Sequence, residues 1–288
     1  MHLSIIIVNY NTKDLTLQCL KSVYENIPSA LEVEVFLVDN ASTDGSIEAI
    51  NKSFPQVQLI VNESNLGFSA ANNRAIKKAD GKYILLLNSD TVIFPDTLST
   101  MLDYMERHPE VGAAGCKVVL PDGRLDKACK RSFPTPSNAL FHALQLHKLF
   151  PNSEKFGAYN LTYLPEDQIS DVECLVGAFM MVRKTTIDEI GLLDETFFMY
   201  GEDIDWCYRI KQAGWRITYY PKTRIIHYKG SSAKKKRWSM LWEFHRAMLI
   251  YYNKHLAREK GMLVNLLVYL AIYLRYSIVV VGNLFKKG

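Results

Sequence analysis

The stretch YILLLNSD at residues 83–90 constrains the fold most: an unbroken apolar run stopped by Asn88, Ser89 and Asp90. Apolar residues without alternation argue for a strand buried on both faces, as in a parallel sheet covered by helices. In such sheets the ligand lies beyond the carboxyl ends of the strands, which puts Asp90 where chemistry takes place. One carboxylate beside a small hydroxyl and an amide suits a divalent cation shared with substrate phosphates. Asn, Ser and Asp are equally ordinary turn residues, so this stretch alone leaves both readings open.

The flanking sequence repeats the pattern. Residues 3–8 (LSIIIV) form a β-branched run ending at Asn9-Tyr10-Asn11, and Thr12 or Asp14 can cap a helix over 15–26. Residues 33–38 read as a second strand ending at Asp39. NASTDGSIEAI then offers turn chemistry and an N-cap (Ser42, Thr43 or Asp44) for a helix to about residue 53. Strands at 57–61 and 111–120 and helices at 68–79 and 95–108 complete an alternation that predicts an α/β fold of three layers, α/β/α, with a mostly parallel, Rossmann-like sheet. Residues 121–171, rich in Pro, Ser, Lys and Asn, read as a long excursion, and long loops in a compact domain are usually functional or disordered. Strand-like composition returns at 172–182, with Gly177 inside it. A helix at 203–213 is closed by Gly214, and two short strands follow at 215–220 and 223–228.

Charge is distributed unevenly. Residues 1–221 carry 20 basic and 28 acidic side chains, whereas 222–288 carry 14 basic and 2 acidic. An acidic body with a basic tail points to an anionic surface as the tail's partner, nucleic acid or membrane. The five cysteines lack CxxC spacing and read as reduced thiols of a cytosolic protein. The first residues, MHLSIIIVNY, carry no basic region before a short apolar run and read as a strand rather than a signal peptide.

Asp39 and Asp90 would both lie on one edge of a doubly wound sheet, close enough to share a nucleotide. Asp39 can accept hydrogen bonds from a base N–H or ribose hydroxyls, or it can serve as an Asx-turn residue. Neither GxxxxGK[ST] nor a GxGxxG after the first strand is present, which excludes a P-loop and disfavours dinucleotide binding. In MYGEDIDW (199–206), three acids fall in four residues at the start of a helix. The helix dipole favours carboxylates there, but one flanked by Phe197, Phe198, Tyr200 and Trp206 would have its pKa raised by burial and like charge, which suits a general base. His227, in IIHYKGSS, is a fourth candidate, although an isolated histidine is more often structural than a ligand.

Taken in order, SIIIVNYN, VDNASTDGS, NLGFSAANN, LLLNSD, GAFMMVRK, FFMYGEDIDWCYRIKQAGW and IIHYKGSS resemble glycosyltransferase family 2, in its bacterial rhamnosyltransferase-like branch. The resemblance covers residues 3–232 and implies a GT-A catalytic domain (1–232) that transfers one sugar, with inversion, from a nucleotide-diphosphate sugar to a glycan or lipid-linked acceptor in cell-surface polysaccharide synthesis. It favours dTDP-rhamnose as donor and leaves UDP-sugars open. By the same resemblance, Asp39 contacts the base, and Val8, Asn9, Tyr10 and Asn11 line the nucleotide pocket with Asn65, Gly67, Asn88, Ser89 and Glu202. Asp90 binds Mg2+ or Mn2+ with His227 close to the metal or the diphosphate, and Asp203 is the catalytic base. Asn88 departs from the family pattern, since many members carry Asp there; the amide removes one charge from the metal site. The QxxRW signature of processive synthases is absent, which favours single additions. A non-catalytic protein of the same fold that binds nucleotide sugars is the alternative, and the retained Asp39, Asp90, Asp203 and His227 argue against it.

The tail at 233–288 opens with KKKR (234–237), followed by aromatic and apolar residues at helical spacing from Trp238 to Leu256. Residues 262–274 and 278–285 are almost wholly apolar, with Arg275 between them. A spanning helix needs about 20 apolar residues, and an arginine near its centre adds about 2.5–3.5 kcal/mol to insertion. Arg275 therefore snorkels, or the segment is a hairpin lying in the interface, or it packs on the catalytic domain or on another subunit of a homo-oligomer. Monotopic attachment to the cytoplasmic face of the membrane is the favoured expectation, with basic residues against anionic lipid. Nucleic acid is disfavoured, because no base-reading motif accompanies the basic run.

Overall fold

One nine-stranded sheet runs through residues 3–227 in a computed structural model that describes residues 2–229 and 237–285. In chain order, β1 (Leu3–Asn9), α1 (Lys13–Glu25), β2 (Val33–Asp39), α2 (Ser46–Ser53), β3 (Gln58–Val61), α3 (Phe68–Ile76) and β4 (Tyr83–Asn88) alternate as the sequence predicts. There follow β5 (Thr91–Ile93), α4 (Thr97–Arg107), β6 (Val111–Val119), the short helices α5 (Pro136–Ala143), α6 (Leu146–Leu149) and α7 (Glu154–Gly157), then β7 (Ser170–Asp171), β8 (Phe179–Arg183), α8 (Lys184–Ile190), α9 (Glu202–Gln212) and β9 (Arg216–His227). Two long helices, α10 (Arg237–His255) and α11 (Met262–Phe285), end the described chain.

The strand order is β3-β2-β1-β4-β8-β6-β9-β5, with β7 beside β9. The half built from β3, β2, β1 and β4 is parallel; β8 then runs antiparallel to both β4 and β6, so the sheet is mixed. β1 and β4 lie at the centre, and Ile5, Ile6, Ile7, Leu85, Leu86 and Leu87 are buried, as unbroken apolar runs require.

Three local expectations are corrected. The apolar stretch at 172–182 is a strand only from Phe179, which leaves Gly177 in the preceding loop. The two short strands expected at 215–228 are one strand, β9. It absorbs Pro221 because its register against β6 shifts between Gly115↔Tyr219 and Lys117↔Arg224, a bulge that leaves the proline out of the ladder. The hairpin left open for the apolar tail segments is replaced by one continuous helix, in which Arg275 faces α10, its guanidinium 5.1 Å from the Phe244 ring centroid.

The excursion is tied into the body. A turn at Asp122-Gly123 (Gly123 φ +82°) folds the chain back onto β6, where Asp126 N–H donates to Val118 O at 2.9 Å. Buried Lys130 donates to the carbonyls of Leu161 (3.2 Å) and Leu164 (2.5 Å). All five cysteines are free and buried. Lys234, Lys235 and Lys236, and the domain junction expected at 232–233, lie outside the described residues.

Candidate active site

At the carboxyl ends of β1 and β2, one hydrogen-bond net holds the predicted nucleotide residues. Asn9 Nδ2 donates to Asp39 Oδ2 (2.6 Å) and Ser42 Oγ (3.0 Å), while Asn9 Oδ1 accepts from Thr12 (2.8 Å) and Thr16 (2.7 Å). Asp39 Oδ1 accepts from Ser42 N–H at 2.8 Å. Asp39 and Asn9 are fully buried, so both carboxylate oxygens of Asp39 already order the turn, as the Asx reading anticipated. Asn11, at φ +54°, accepts from Thr43 N–H (2.8 Å), and its own N–H donates to Ser42 Oγ (2.9 Å). Val8 and Tyr10 are half-buried beside them.

The expected helix caps differ. Thr12 spends its hydroxyl on Asn9, and Asp44 accepts from Lys13 N–H across the turn (2.9 Å) as well as from Ser46 N–H (3.2 Å), so one aspartate serves the starts of both α1 and α2.

Asn65 and Gly67 are joined to this net through Asn40, which the sequence reading did not single out. Asn40 Nδ2 donates to Asn65 Oδ1 and Gly67 O, both at 3.1 Å. Gly67 has φ +85°, and a Cβ there would collide with the Phe198 backbone, so glycine is required for the loop before α3 to meet the loop before α9. Phe68 N–H donates to Phe198 O at 2.7 Å.

The second cluster lies beyond β4. His227 Nε2 is 3.2 Å from Asp90 Oδ1 and 3.4 Å from Asn88 Nδ2, brought there by the antiparallel register Thr91↔His227 of β5 and β9. Ser89 Oγ lies 3.2 Å from Thr12 Oγ1, which links this cluster to the first. Behind the histidine, Nδ1 is 3.3 Å from Asp126 Oδ2, and Lys229 Nζ is 3.0 Å from Asp126 Oδ1. Burial disfavours the imidazolium, but the hydrogen bonds and charges of Asp126 and Asp90 outweigh it and lift His227 to about 9. Burial likewise works against the Asp126 carboxylate, yet His227 and Lys229 hold it well below the usual range.

The third cluster surrounds Asp203 at the start of α9. Its Oδ2 accepts from Arg131 Nη2 (2.8 Å) and Gly177 N–H (3.3 Å), and its Oδ1 from Ile204 N–H (2.8 Å). One residue beyond Gly177, Ala178 O accepts from Asn88 N–H at 3.1 Å, so the loop before β8 bridges the second and third clusters. Glu202 is buried, and among the described residues its Oε2 has no hydrogen-bond partner. Burial first, and the neighbouring Asp203 charge second, push its carboxyl up to about 8. The raised carboxyl that the aromatic surroundings foretold is thus Glu202. The third acid, Asp205, is fully buried and structural: Arg209, Lys254 and His255 lie 2.9, 2.7 and 2.7 Å from its oxygens. Burial pushes Asp205 up, but those partners hold it at about 2.

The chain matches the family model described as Glycosyl transferase family 2 over residues 4–163. It belongs to glycosyltransferase family 2. Among its relatives, the N-acetylglucosaminyl-diphospho-decaprenol L-rhamnosyltransferase of Mycobacterium tuberculosis is 30% identical over 76% of this chain and 74% of its own. Rhamnosyltransferase WbbL of Escherichia coli K12 is 28% identical over 78% of this chain and 82% of its own. In structure, the chain is similar to a mannosyltransferase of Pyrobaculum calidifontis in complex with GDP-Man and Mn2+ (TM-score 0.61, 17% identity), covering 90% of this chain and 65% of that one. It is also similar to Staphylococcus aureus TarS residues 1–349 in complex with UDP-GlcNAc (TM-score 0.55, 18% identity), covering 88% and 67%. The fold is GT-A, and this family 2 member is a glycosyltransferase of a rhamnosyltransferase-like branch.

The donor set fits a hard divalent cation. Among the described residues no group of three His, Cys, Asp or Glu could enclose one, but Asp90 Oδ1 and His227 Nε2 are 3.2 Å apart. Adjacent ligands of an octahedral Mg2+, each about 2.1 Å from the ion, are separated by about 3 Å, and such ions normally complete their shell with water and substrate phosphates. Asp126 behind Nδ1 supplies the carboxylate that ligating histidines ordinarily need to fix their tautomer.

Besides Asn40, sequence reasoning missed Asp126 and Arg131. Both lie in residues 121–171, read as a long excursion, with no periodicity to mark them. The Asp-Gly turn at 122–123 is the signal available: it predicts a tight reversal that returns Asp126 to the end of β6.

Proposed function

We propose that this protein transfers one sugar, with inversion, from a nucleotide-diphosphate sugar to a hydroxyl of a glycan or lipid-linked acceptor in cell-surface polysaccharide synthesis. dTDP-rhamnose is the favoured donor, on the rhamnosyltransferases among its relatives. The observation that carries the reading is the bridge from Asn88 through Ala178 and Gly177 to Asp203, which ties the start of α9 to the strand end that precedes Asp90.

In this reading the Asn9–Asp39 net and the loop of Asn65 and Gly67 seat the nucleoside, while Asn88 and Ser89 hydrogen-bond ribose or phosphate. Asp90 and His227 would hold Mg2+ or Mn2+, which neutralises charge on the leaving diphosphate. Asp203 accepts the acceptor hydroxyl proton as that oxygen bonds to C1; the C1–O bond to the diphosphate breaks, and its electron pair leaves with the diphosphate. Arg131 and two backbone N–H groups hold the Asp203 carboxylate aimed before the acceptor arrives. The site is tested by a panel of nucleotide sugars scored for nucleoside diphosphate release with Mn2+ and with chelator. Release from one donor in Mn2+ alone supports the reading; release from none sinks it.

Attachment to the cytoplasmic face of a membrane belongs to the same proposal. The segment Met262–Asn283 of α11 is long and apolar enough to cross a bilayer, yet only 6% of its most apolar window is buried. Leu266, Leu270, Leu274 and Ile278 are more than half exposed. Arg275 turns toward α10 instead of away from it, which supports a helix lying in the interface beside α10. Flotation with anionic vesicles tests this; a chain ending at residue 260 that still floats would refute it.

A further inference from the structure

Lys229 brings a cation, so far without a role, to the edge of the sheet that holds Asp90 and His227. β9 runs parallel to β6, and β6 and β4 each run antiparallel to β8, so β4 and β9 open their carboxyl ends on the same edge. Beyond the end of β9 the chain stays beside Asp90, because Tyr228 N–H donates to Asp90 O at 2.8 Å. The next side chain, Lys229, sets its ammonium 3.0 Å from Asp126 Oδ1 and 3.3 Å from Asp126 Oδ2. Asp126 Oδ2 is also 3.3 Å from His227 Nδ1. One carboxylate oxygen therefore lies between the ammonium and an imidazole whose other nitrogen is 3.2 Å from Asp90.

Two features separate Lys229 from a lysine that only neutralises a buried acid. The first is its placement on the solvent side of the cluster: its side chain is 55% exposed, against 4% for Asp126. Asp126 is fixed from within by Ala128 N–H, which donates to Oδ1 at 3.1 Å. An ammonium has three donors and one carboxylate engages at most two, so Lys229 can meet a ligand without leaving Asp126.

The second is charge. With a divalent ion bound and His227 neutral, Asp90, Asp126 and Lys229 leave this edge one positive charge; without the lysine it has none. Negative charge builds on the terminal phosphate as its bond to C1 breaks, and a cation fixed there stabilises the transition state more than the bound donor. A lysine meets phosphate as a compact point charge on a flexible stem, which suits an oxygen that moves away as it leaves.

We propose that Lys229 is a diphosphate-binding residue, whose ammonium, held beside His227 by Asp126, takes the terminal phosphate of the departing nucleoside diphosphate. The assignment rests on the reading of Asp90 and His227 as the diphosphate end of the donor site. No proton changes place: the ammonium donates hydrogen bonds, and the electron pair of the broken C1–O bond stays on the diphosphate.

The test titrates full-length wild type, Lys229→Gln, Asp126→Asn and the Asp126→Asn/Lys229→Gln double variant by calorimetry, each with chelator and with Mn2+. The ligands are dTDP, UDP, their monophosphates and inorganic pyrophosphate. Lys229→Gln should weaken pyrophosphate, and whichever nucleoside diphosphate binds, by about tenfold in both conditions, and the matching monophosphate by less than about threefold. A loss under about threefold for the diphosphates overturns the proposal, as does an equal loss for the monophosphate. The double variant separates binding from neutralisation. The proposal expects the tenfold loss to persist in the Asp126→Asn background; affinity restored there to that of Asp126→Asn alone would reduce Lys229 to a counterion of Asp126. Wild type that binds pyrophosphate but transfers from no sugar donor would fail the transfer reading and not the lysine, which the pyrophosphate titration then decides. Wild type that binds no diphosphate refutes the assignment.

Discussion

Arg131 Nη2 lies 2.8 Å from Asp203 Oδ2, joining the start of α9 to a guanidinium 72 residues earlier in the chain. Both side chains are largely buried, 13% and 12% exposed. The proposed base is therefore held by a segment that sequence composition presents as a loop.

Removing Arg131 leaves a buried carboxylate without its cation, a loss of about 3–5 kcal/mol in comparable buried pairs. Arg131→Met should lower stability to denaturant by that order and abolish transfer, whereas Arg131→Lys, which keeps the charge and loses the fork, should fall between. Urea unfolding of the three proteins checks this; an Arg131→Met variant as stable as wild type would remove Arg131 from the account.

His227 gives the metal-free protein a pH dependence of known sign. Its folded value, about 9, exceeds the unfolded value of about 6.5. The stabilisation is complete below about 6.5 and is lost as pH rises through 9, on the order of 3 kcal/mol in all. Divalent cations need the neutral imidazole, so stabilisation by Mn2+ should grow over the same range. Melting curves from pH 6 to 9.5, with chelator and with Mn2+, should diverge in wild type and run parallel in His227→Gln. Divergence in the variant would place the titrating group elsewhere.

Glu202 is raised as well, to about 8 from an unfolded value near 4.5, chiefly by burial and then by Asp203. The folded state thus keeps a proton that the unfolded chain releases, and stability declines between pH 4.5 and 8. Glu202→Gln should melt at least about 4 °C higher than wild type at pH 8.5 and close to it at pH 5. A variant less stable at both pH values would show that the carboxylate is needed ionised.

Asp205 ties the tail to the catalytic body. Two of its three partners, Lys254 and His255, come from α10, where Ala247 and Tyr251 are buried in one cluster with Phe197. A chain ending at residue 236 leaves Asp205 with Arg209 alone and should lose several kcal/mol of stability. A separable membrane anchor would leave the melting temperature of residues 1–236 unchanged, so that measurement decides between the two.

The parts of this structure that sequence reveals are those with a period. Unbroken apolar strands fix the parallel half of the sheet, and their polar ends put Asp39, Asp90 and the Asn9 turn on one edge. The pairing of His227 with Asp90 follows from β9, although Pro221 argued for a break that a bulge in fact absorbs. The contacts of Asp126 with His227 and of Arg131 with Asp203 span 101 and 72 residues and arise where no periodicity operates. The tail shows the opposite limit: its helices were legible, whereas the side on which Arg275 lies depends on Phe244 and His245, which only packing brings together.

The central claim is that Asp203 takes the acceptor proton at a site where the donor is held by other residues. Replacement by asparagine keeps the shape and removes the base, so kcat for transfer in Asp203→Asn should fall by about 10²–10⁴. The dissociation constant of the donor, measured by calorimetry on the same preparation, should stay within about twofold of wild type. Turnover within tenfold of wild type would contradict the assignment, as would donor binding lost in parallel with transfer.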